Sequence, residues 1–349
     1  MIHRLASLLF LLLAACAGAD SAGPENGPVV LVYATPYAPT HPFSRADIRW
    51  MEYVEEASGG SLQVRPIWSG GLLSAKDSLE ELRHGVADIG LITPIYVRGG
   101  VHLIRVQSGF YSGVETIENQ VALYRCLAAH SDQIQEEMEG LKVLAVQGGN
   151  LPWIITRERA VRSLDDLKGL RIRAPTELLK LLETLGADPV NMPMGDVYSA
   201  LAKGVLDGVV APADTFKSLH FADVAGYALA MSVPRGAYPA RAMGEKAWNN
   251  LSAGHQAILE SSVEIWENAL AEENRAALEE GETLAAQENV EVFRISDEEQ
   301  DLFERIYLEE AEHNALALSR YDIDGAKVFR LARDSISGDG TIICAGENS

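Results

Sequence analysis

The stretch Ser163–Pro212, SLDDLKGLRIRAPTELLKLLETLGADPVNMPMGDVYSALAKGVLDGVVAP, holds two helix–strand units back to back. Ser163 with Asp166 three residues on has the form of a capping box, and Gly169 stops that turn. Leu170 to Arg173 is a short strand. Pro175 and Thr176 then open a helix whose apolar residues Leu178, Leu179, Leu182 and Leu185 recur at helical spacing until Gly186. Pro193 leads into a second helix carrying Val197, Tyr198, Leu201 and Ala202, stopped by Gly204, and Val205–Val210 reads as strand and turn. Arg173 stands where a strand ends and a helix begins, the edge of an open α/β sheet at which ligands bind.

Outward from this stretch the alternation continues. Val29–Ala34 is strand-like, and a helix follows over about 45–57. Leu62–Ile67 and Ala87–Ile92 read as strands, with a capping signal at Ser74 and Asp77 between them. A long helix is predicted over 114–139 and a strand over 141–146. Long helical segments are predicted over 253–287 and from Ser296 to about Arg320. Strands alternating with helices define an α/β fold with a doubly wound, mostly parallel sheet.

The chain has 349 residues, 47% hydrophobic, enough for two domains. Its net charge of −21 argues against nucleic acid or an anionic membrane surface as partner, since both require basic patches. An anion site in such a chain must be a local positive spot, and Arg173 is suited to it. Arg4 followed by the apolar run Leu5–Ala15 is a secretory signal, too short to span a bilayer. It ends in Leu13-Ala14-Ala15-Cys16, similar to a lipobox, which makes Cys16 a lipidation site; ordinary cleavage around Ala17 is the alternative. Residues 17–27 form a small, polar tether. An oxidising compartment would let Cys126 and Cys344 pair, but the simpler reading leaves Cys126 buried on a helix and Cys344 in a loose tail. The eight histidines are scattered, and no zinc-hydrolase, phosphate-loop, dinucleotide or nucleophile-elbow pattern is present. His41 with Asp47 and His220 with Asp223 lack a nucleophile, so catalysis is not expected, nor is any cofactor or metal.

DLKGLRIRAP followed by LGADPVNMPMGDVYSALAKGVLDG resembles the central signature of the solute receptors of tripartite ATP-independent periplasmic (TRAP) transporters, DctP type. Gly85-Val86-Ala87-Asp88-Ile89-Gly90 is similar to a further motif of that family. The resemblance implies a two-domain fold of the periplasmic-binding-protein type II kind, with mixed, mostly parallel sheets and long C-terminal helices crossing both domains. It places the first domain at 28–150 with parts of 237–277 and 307–330, the second at 151–236 with part of 278–306, and a tail at 331–349. It implies a periplasmic receptor that closes on a carboxylate held by Arg173 and delivers it to a membrane permease. A sensor subunit feeding a signalling receptor would use the same fold.

Departures from the family pattern bear on the ligand. The position where many members carry a second arginine is Trp153. Met194 stands where an aromatic is common, and Ala211 replaces a ligand-binding asparagine. One arginine and an apolar wall favour an aromatic or largely apolar monocarboxylate stacked on Trp153 over a sugar acid or dicarboxylate. Asp214, matching an acidic position of a subgroup, either receives a ligand hydroxyl or amine or caps the helix before Phe216. Tyr37, His41 and Tyr96 are further lining residues, and Phe110 and Tyr111 weaker ones.

Overall fold

A computed structural model describes residues 27–97 and 99–348. The signal peptide, Cys16 and most of the tether lie outside the described residues. Among those described, no helix is long and apolar enough to cross a membrane.

The strands are β1 (Val29–Ala34), β2 (Leu62–Ile67), β3 (Ile89–Leu91), β4 (Leu141–Gln147), β5 (Trp153–Thr156), β6 (Arg171–Arg173), β7 (Asp188–Val190), β8 (Gly208–Ala211), β9 (Tyr227–Ala230), β10 (Tyr238–Gly244) and β11 (Glu291–Arg294). They build two sheets, ordered β2-β1-β3-β10-β4 and β11-β9-β5-β8-β6-β7. In each sheet one strand runs against both neighbours: β10 against β3 and β4, and β5 against β8 and β9. The chain enters these two strands directly from the other sheet, out through residues 148–152 and back through 231–237, whereas β11 is reached from β10 only through helices. The remaining pairs are parallel. Their crossovers need intervening helices such as Pro42–Ala57 between β1 and β2. Buried on both faces, such strands are continuously apolar, as Gly208-Val209-Val210-Ala211 is.

Local signals explain the element ends. Ser163 and Asp166 form the expected capping box. Gly186 and Gly204, at φ 87° and 66°, turn the chain after helices Leu179–Thr184 and Val197–Ala202 through a region closed to most side chains. The predicted helix over 114–139 is two. Thr116 accepts from the N–H of Asn119 and starts the first at Ile117. The ring of His130 bonds the carbonyl of Cys126 and ends it at Ala129, and Asp132–Glu137 follows. The segment 253–287 also divides, at Ser262. Its hydroxyl donates to the carbonyl of Leu259 and accepts from the indole N–H of Trp50.

Two C-terminal helices cross between the sheets. Val263–Gln287 packs Trp266, Ala269 and Leu270 beside Trp50 against the first sheet, and Ala285, Leu278 and Leu284 against the second. Asp297–Leu316 places Phe303 and Tyr307 in the second sheet's core and Ala311 and Ala315 in the first sheet's. The unpaired, loose-tail reading of the cysteines is corrected. Cys126 and Cys344 form a disulfide with Cα atoms 5.6 Å apart, Ile336 bridges Ile342, and Asn119 donates to the carbonyl of Gly340. The tail lies on helix Ile117–Ala129 because its apolar residues Ile336 and Ile342 pack on the core there.

Candidate functional site

Arg173 closes β6, the middle strand of a parallel trio whose C-terminal edge faces the space between the sheets. It is 2% exposed. Its Nε donates to the carbonyl of Met192 at 3.0 Å, Nη1 points at the carbonyl of Val210 at 3.5 Å, and Nη2 donates to the hydroxyl of Tyr96 at 2.6 Å. All three partners are neutral. Among the described residues no carboxylate forms an ion pair with Arg173; Asp165, eight residues before it, pairs with Lys168. A guanidinium has five N–H donors in a planar fork. Three are engaged here, which leaves one on each terminal nitrogen, the pair that grips a carboxylate with two parallel bonds. A buried charge without a counter-charge is costly; a bound anion would supply it.

Around this guanidinium lies a cavity of about 110 Å³ open to water centres. That is room for a ligand on the order of ten heavy atoms, if each takes about the space one water needs. Of the residues singled out in the sequence, Arg173, Asp214, Met194, Tyr96, Tyr37 and His41 line it. Tyr37 stacks on His41 with ring centroids 4.0 Å apart. His41 caps helix Pro42–Ala57 through Nδ1, which accepts from the N–H of Phe43 at 3.2 Å. Burial, with Arg241 and Arg45 nearby, lowers its pKa to about 3, so the ring is neutral. Asp214 accepts from the Asn150 amide at 3.0 Å and the Ser218 hydroxyl at 3.4 Å, and its side chain makes no helix cap. Burial raises its pKa, against the pull of Asn150 and Arg235.

Trp153 does not line the cavity. It pairs with Ala211 across β5 and β8, and cross-strand partners share a sheet face. That face holds Val209, Ala211 and Phe216, and the indole packs there. Phe110 and Tyr111 are fully buried in the first sheet's core.

Sequence reasoning did not single out Arg235, Tyr238 or Glu177, all in the cavity wall. Arg235 lies on the returning crossover. Its Nη1 donates to the carbonyl of Asn150 on the outgoing one at 3.2 Å, and its guanidinium fills the space where a Cβ on Gly149 would stand. The signal was Pro234-Arg235-Gly236 between two strands unread in the sequence. Glu177 follows Arg173 by one turn. Burial raises its pKa, while Arg173, Arg235 and Ser108 pull the other way. The cavity thus combines two guanidiniums, two carboxyls and three tyrosines with a wall of Phe43, Ile95, Leu178 and Val210.

Among the described residues, the one cluster of metal-ligating types is Cys126, His130 and Cys344, where the disulfide removes both thiolates. It stands apart from this cavity.

Residues 33–311 match the family model of bacterial extracellular solute-binding proteins, family 7, the DctP family. The chain belongs to that family. It is similar in fold to a TRAP solute-binding protein from Rhodoferax ferrireducens T118 solved with copurified benzoate. The TM-score is 0.80 and the identity 22%, over 88% of this chain and 97% of that one. A marine-metagenome TRAP protein specific for aromatic acids, solved with 3-hydroxybenzoate, gives 0.79 and 21% over 88% and 98%. An uncharacterised protein of Haemophilus influenzae is 26% identical over 61% of this chain. The aligned segment spans 65% of that relative and 51% of a solute-binding protein from Albidiferax ferrireducens.

Proposed function

We propose that this protein is the extracytoplasmic receptor of a TRAP transporter. In this reading it binds a small organic acid between its two sheets through Arg173 and presents it to the membrane permease. The observation that carries the reading is a guanidinium at 2% exposure with only neutral partners, at the wall of a cavity sized for about ten heavy atoms. The ligand is an aromatic or largely apolar monocarboxylate. Phe43, Ile95, Leu178 and Val210 support the apolar body, with Tyr37 and Tyr96 in place of Trp153 as aromatic surfaces. The protein is a binder and not an enzyme in this reading. Its sequence carries it to the periplasm, with Cys16 as the point of lipid attachment. The division into domains at 28–150 and 151–236 follows the two crossings.

Arg235 favours a second reading. A second guanidinium suits a dicarboxylate or a sugar acid, the latter represented among similar folds by a Sulfitobacter protein solved with β-D-galacturonate.

The test is a thermal-shift screen of the mature protein against aromatic monocarboxylates, dicarboxylates and sugar acids, repeated on Arg173→Ala. A ligand at about 100 times its Kd adds about 2.7 kcal/mol of stability. An aromatic acid that shifts the wild type and not the variant supports the reading. A shift confined to dicarboxylates or sugar acids keeps the receptor and replaces the ligand class. A shift that survives Arg173→Ala refutes Arg173 as the anchor.

A further inference from the structure

Glu177 sits in the wall between two cavities. One is the ligand cavity with Arg173, Arg235 and Ser108; the other, of about 130 Å³, is lined by Arg105, Thr176, Tyr307, Asn314 and Arg320. Its Oε2 is sealed from solvent and has no hydrogen-bond partner. A buried acceptor left empty costs free energy comparable to a lost hydrogen bond, so native structures rarely keep one. The other carboxyl of the cavity differs. Asp214 has both oxygens engaged, by Asn150 and Ser218. The hydroxyl of Ser108 lies close enough to act on this carboxyl but is directed at the carbonyl of Arg105 at 2.7 Å, and Oε2 stays without a partner. The unfilled acceptor therefore lies one turn along the chain from the unfilled donors of Arg173.

Resting on the receptor reading above, we propose that Glu177 is the specificity-determining residue for a second polar group on the ligand. The solute is a hydroxy-substituted carboxylate, its carboxylate on Arg173 and its hydroxyl donating to Glu177 Oε2. A hydroxyl fits better than an ammonium, because the charges of Arg173 and Arg235 both reach this carboxyl and would repel a second cation. A site built to accept a hydroxyl rejects the analogue that lacks it, since the acceptor is then left buried and unpaired.

Isothermal titration with two matched pairs, mandelate against phenylacetate and 3-hydroxybenzoate against benzoate, tests this on the mature protein and on Glu177→Leu, Tyr307→Phe and Arg173→Ala. The wild type should bind the hydroxylated member of at least one pair at least about tenfold more tightly. In Glu177→Leu that ratio should fall below about twofold, whatever the change in the affinity of the unhydroxylated acid, and a cooperative thermal unfolding transition shows that the variant is folded. Tyr307→Phe, which removes an unpartnered hydroxyl lining the second cavity, should leave the ratio unchanged. No preference in the wild type, or a preference that survives Glu177→Leu, overturns the assignment with the receptor reading intact. So does a ratio that falls equally in Tyr307→Phe, which places the donor in the second cavity. Failure of all four acids to bind removes the aromatic ligand class and this inference with it, while the thermal-shift screen still decides the receptor reading; binding unchanged in Arg173→Ala removes Arg173 as the anchor and this inference with it.

Discussion

Replacing Asp47 by Ala should come close to unfolding the protein. Asp47 and Arg241 are both 0% exposed and pair at 2.9 Å. The same carboxylate accepts from the Trp266 indole at 2.9 Å and the Tyr33 hydroxyl at 2.5 Å. Arg241 also donates to Gln147 at 2.8 Å, and its Nη2 has no partner to fall back on. Burial opposes its charge, and Asp47 with Tyr33 holds the guanidinium protonated. Removing one member of a buried pair costs about 3–5 kcal/mol. Two further donors lose their acceptor, at about 1–3 kcal/mol each, and such terms overlap rather than add. A loss of about 5 kcal/mol is the expectation, against a total stability of about 5–15 kcal/mol. Asp47→Asn, which keeps shape and one acceptor, should lose about 3 kcal/mol. Asp47→Leu with Arg241→Met should be more stable than Asp47→Ala, because no charge is stranded. Urea denaturation measures all three variants, with Asp165→Ala as control: its pair with Lys168 is exposed and worth under about 1 kcal/mol. Losses below about 1.5 kcal/mol in both Asp47→Ala and Asp47→Asn would refute the argument that this pair fastens helix Pro42–Ala57 to β10.

His41 should make the protein acid-sensitive. Its pKa is depressed from 6.5 to about 3, so below 6.5 the unfolded chain takes a proton the folded one refuses, and stability falls with pH across that window. Between pH 7 and 5 the wild type should lose about 2 kcal/mol more than His41→Asn in urea titrations, and equal slopes would contradict the buried neutral ring. Asp214 and Glu177, raised by burial, act in the opposite sense, stability falling as pH rises through their range, and cancel in that difference. The native protein should yield no free thiol at Cys126 or Cys344 until reduced. Reduction opens a loop with a sequence separation of 218, worth at most about 5 kcal/mol, and the melting temperature reports how much is global and how much only frees the tail. Gly281→Ala would set a Cβ 2.1 Å from the Ala213 carbonyl oxygen and 2.7 Å from the Asp214 Cα, so it should cost about 1–3 kcal/mol and weaken ligand binding in the same titrations. Unchanged binding would mean Asp214 plays no part in the site.

What could be read from the sequence was what neighbouring residues decide together. The capping box at Ser163, the stops at Gly186 and Gly204 and the leucine spacing act within one or two turns, and they gave the units around β6 and β8 in the right order. The strands β5, β7, β9, β10 and β11 were not read. β5 and β9 have four residues each, and their partners lie far along the chain. β10 begins Tyr238-Pro239, its register shifts against β4, and all its residues are buried, so no alternation marks it. The error over Trp153 has the same root. Which face of β5 the indole takes follows from its pairing with Ala211, a contact no local pattern announces. Arg235 was missed because its role depends on two crossovers meeting.

In the receptor reading proposed above, the contacts at the cleft would let one arginine couple binding to closure. Tyr96 follows β3 in the first sheet, while Arg173 ends β6 in the second, so their 2.6 Å bond spans the two. Thr176, on the turn after Arg173, reaches across as well and donates to the carbonyl of Ile95 at 3.2 Å. Opening the cleft would remove the hydroxyl from a guanidinium that has no carboxylate partner. Closing it without an anion would bury that charge among neutral groups. In that reading a ligand carboxylate would change the balance in one direction only, because it would neutralise Arg173 beside Tyr96 and Tyr37. A ligand favours a conformation only by its differential affinity for that conformation. Here the difference arises at a residue whose remaining donors and whose first-sheet partner lie on the same two terminal nitrogens.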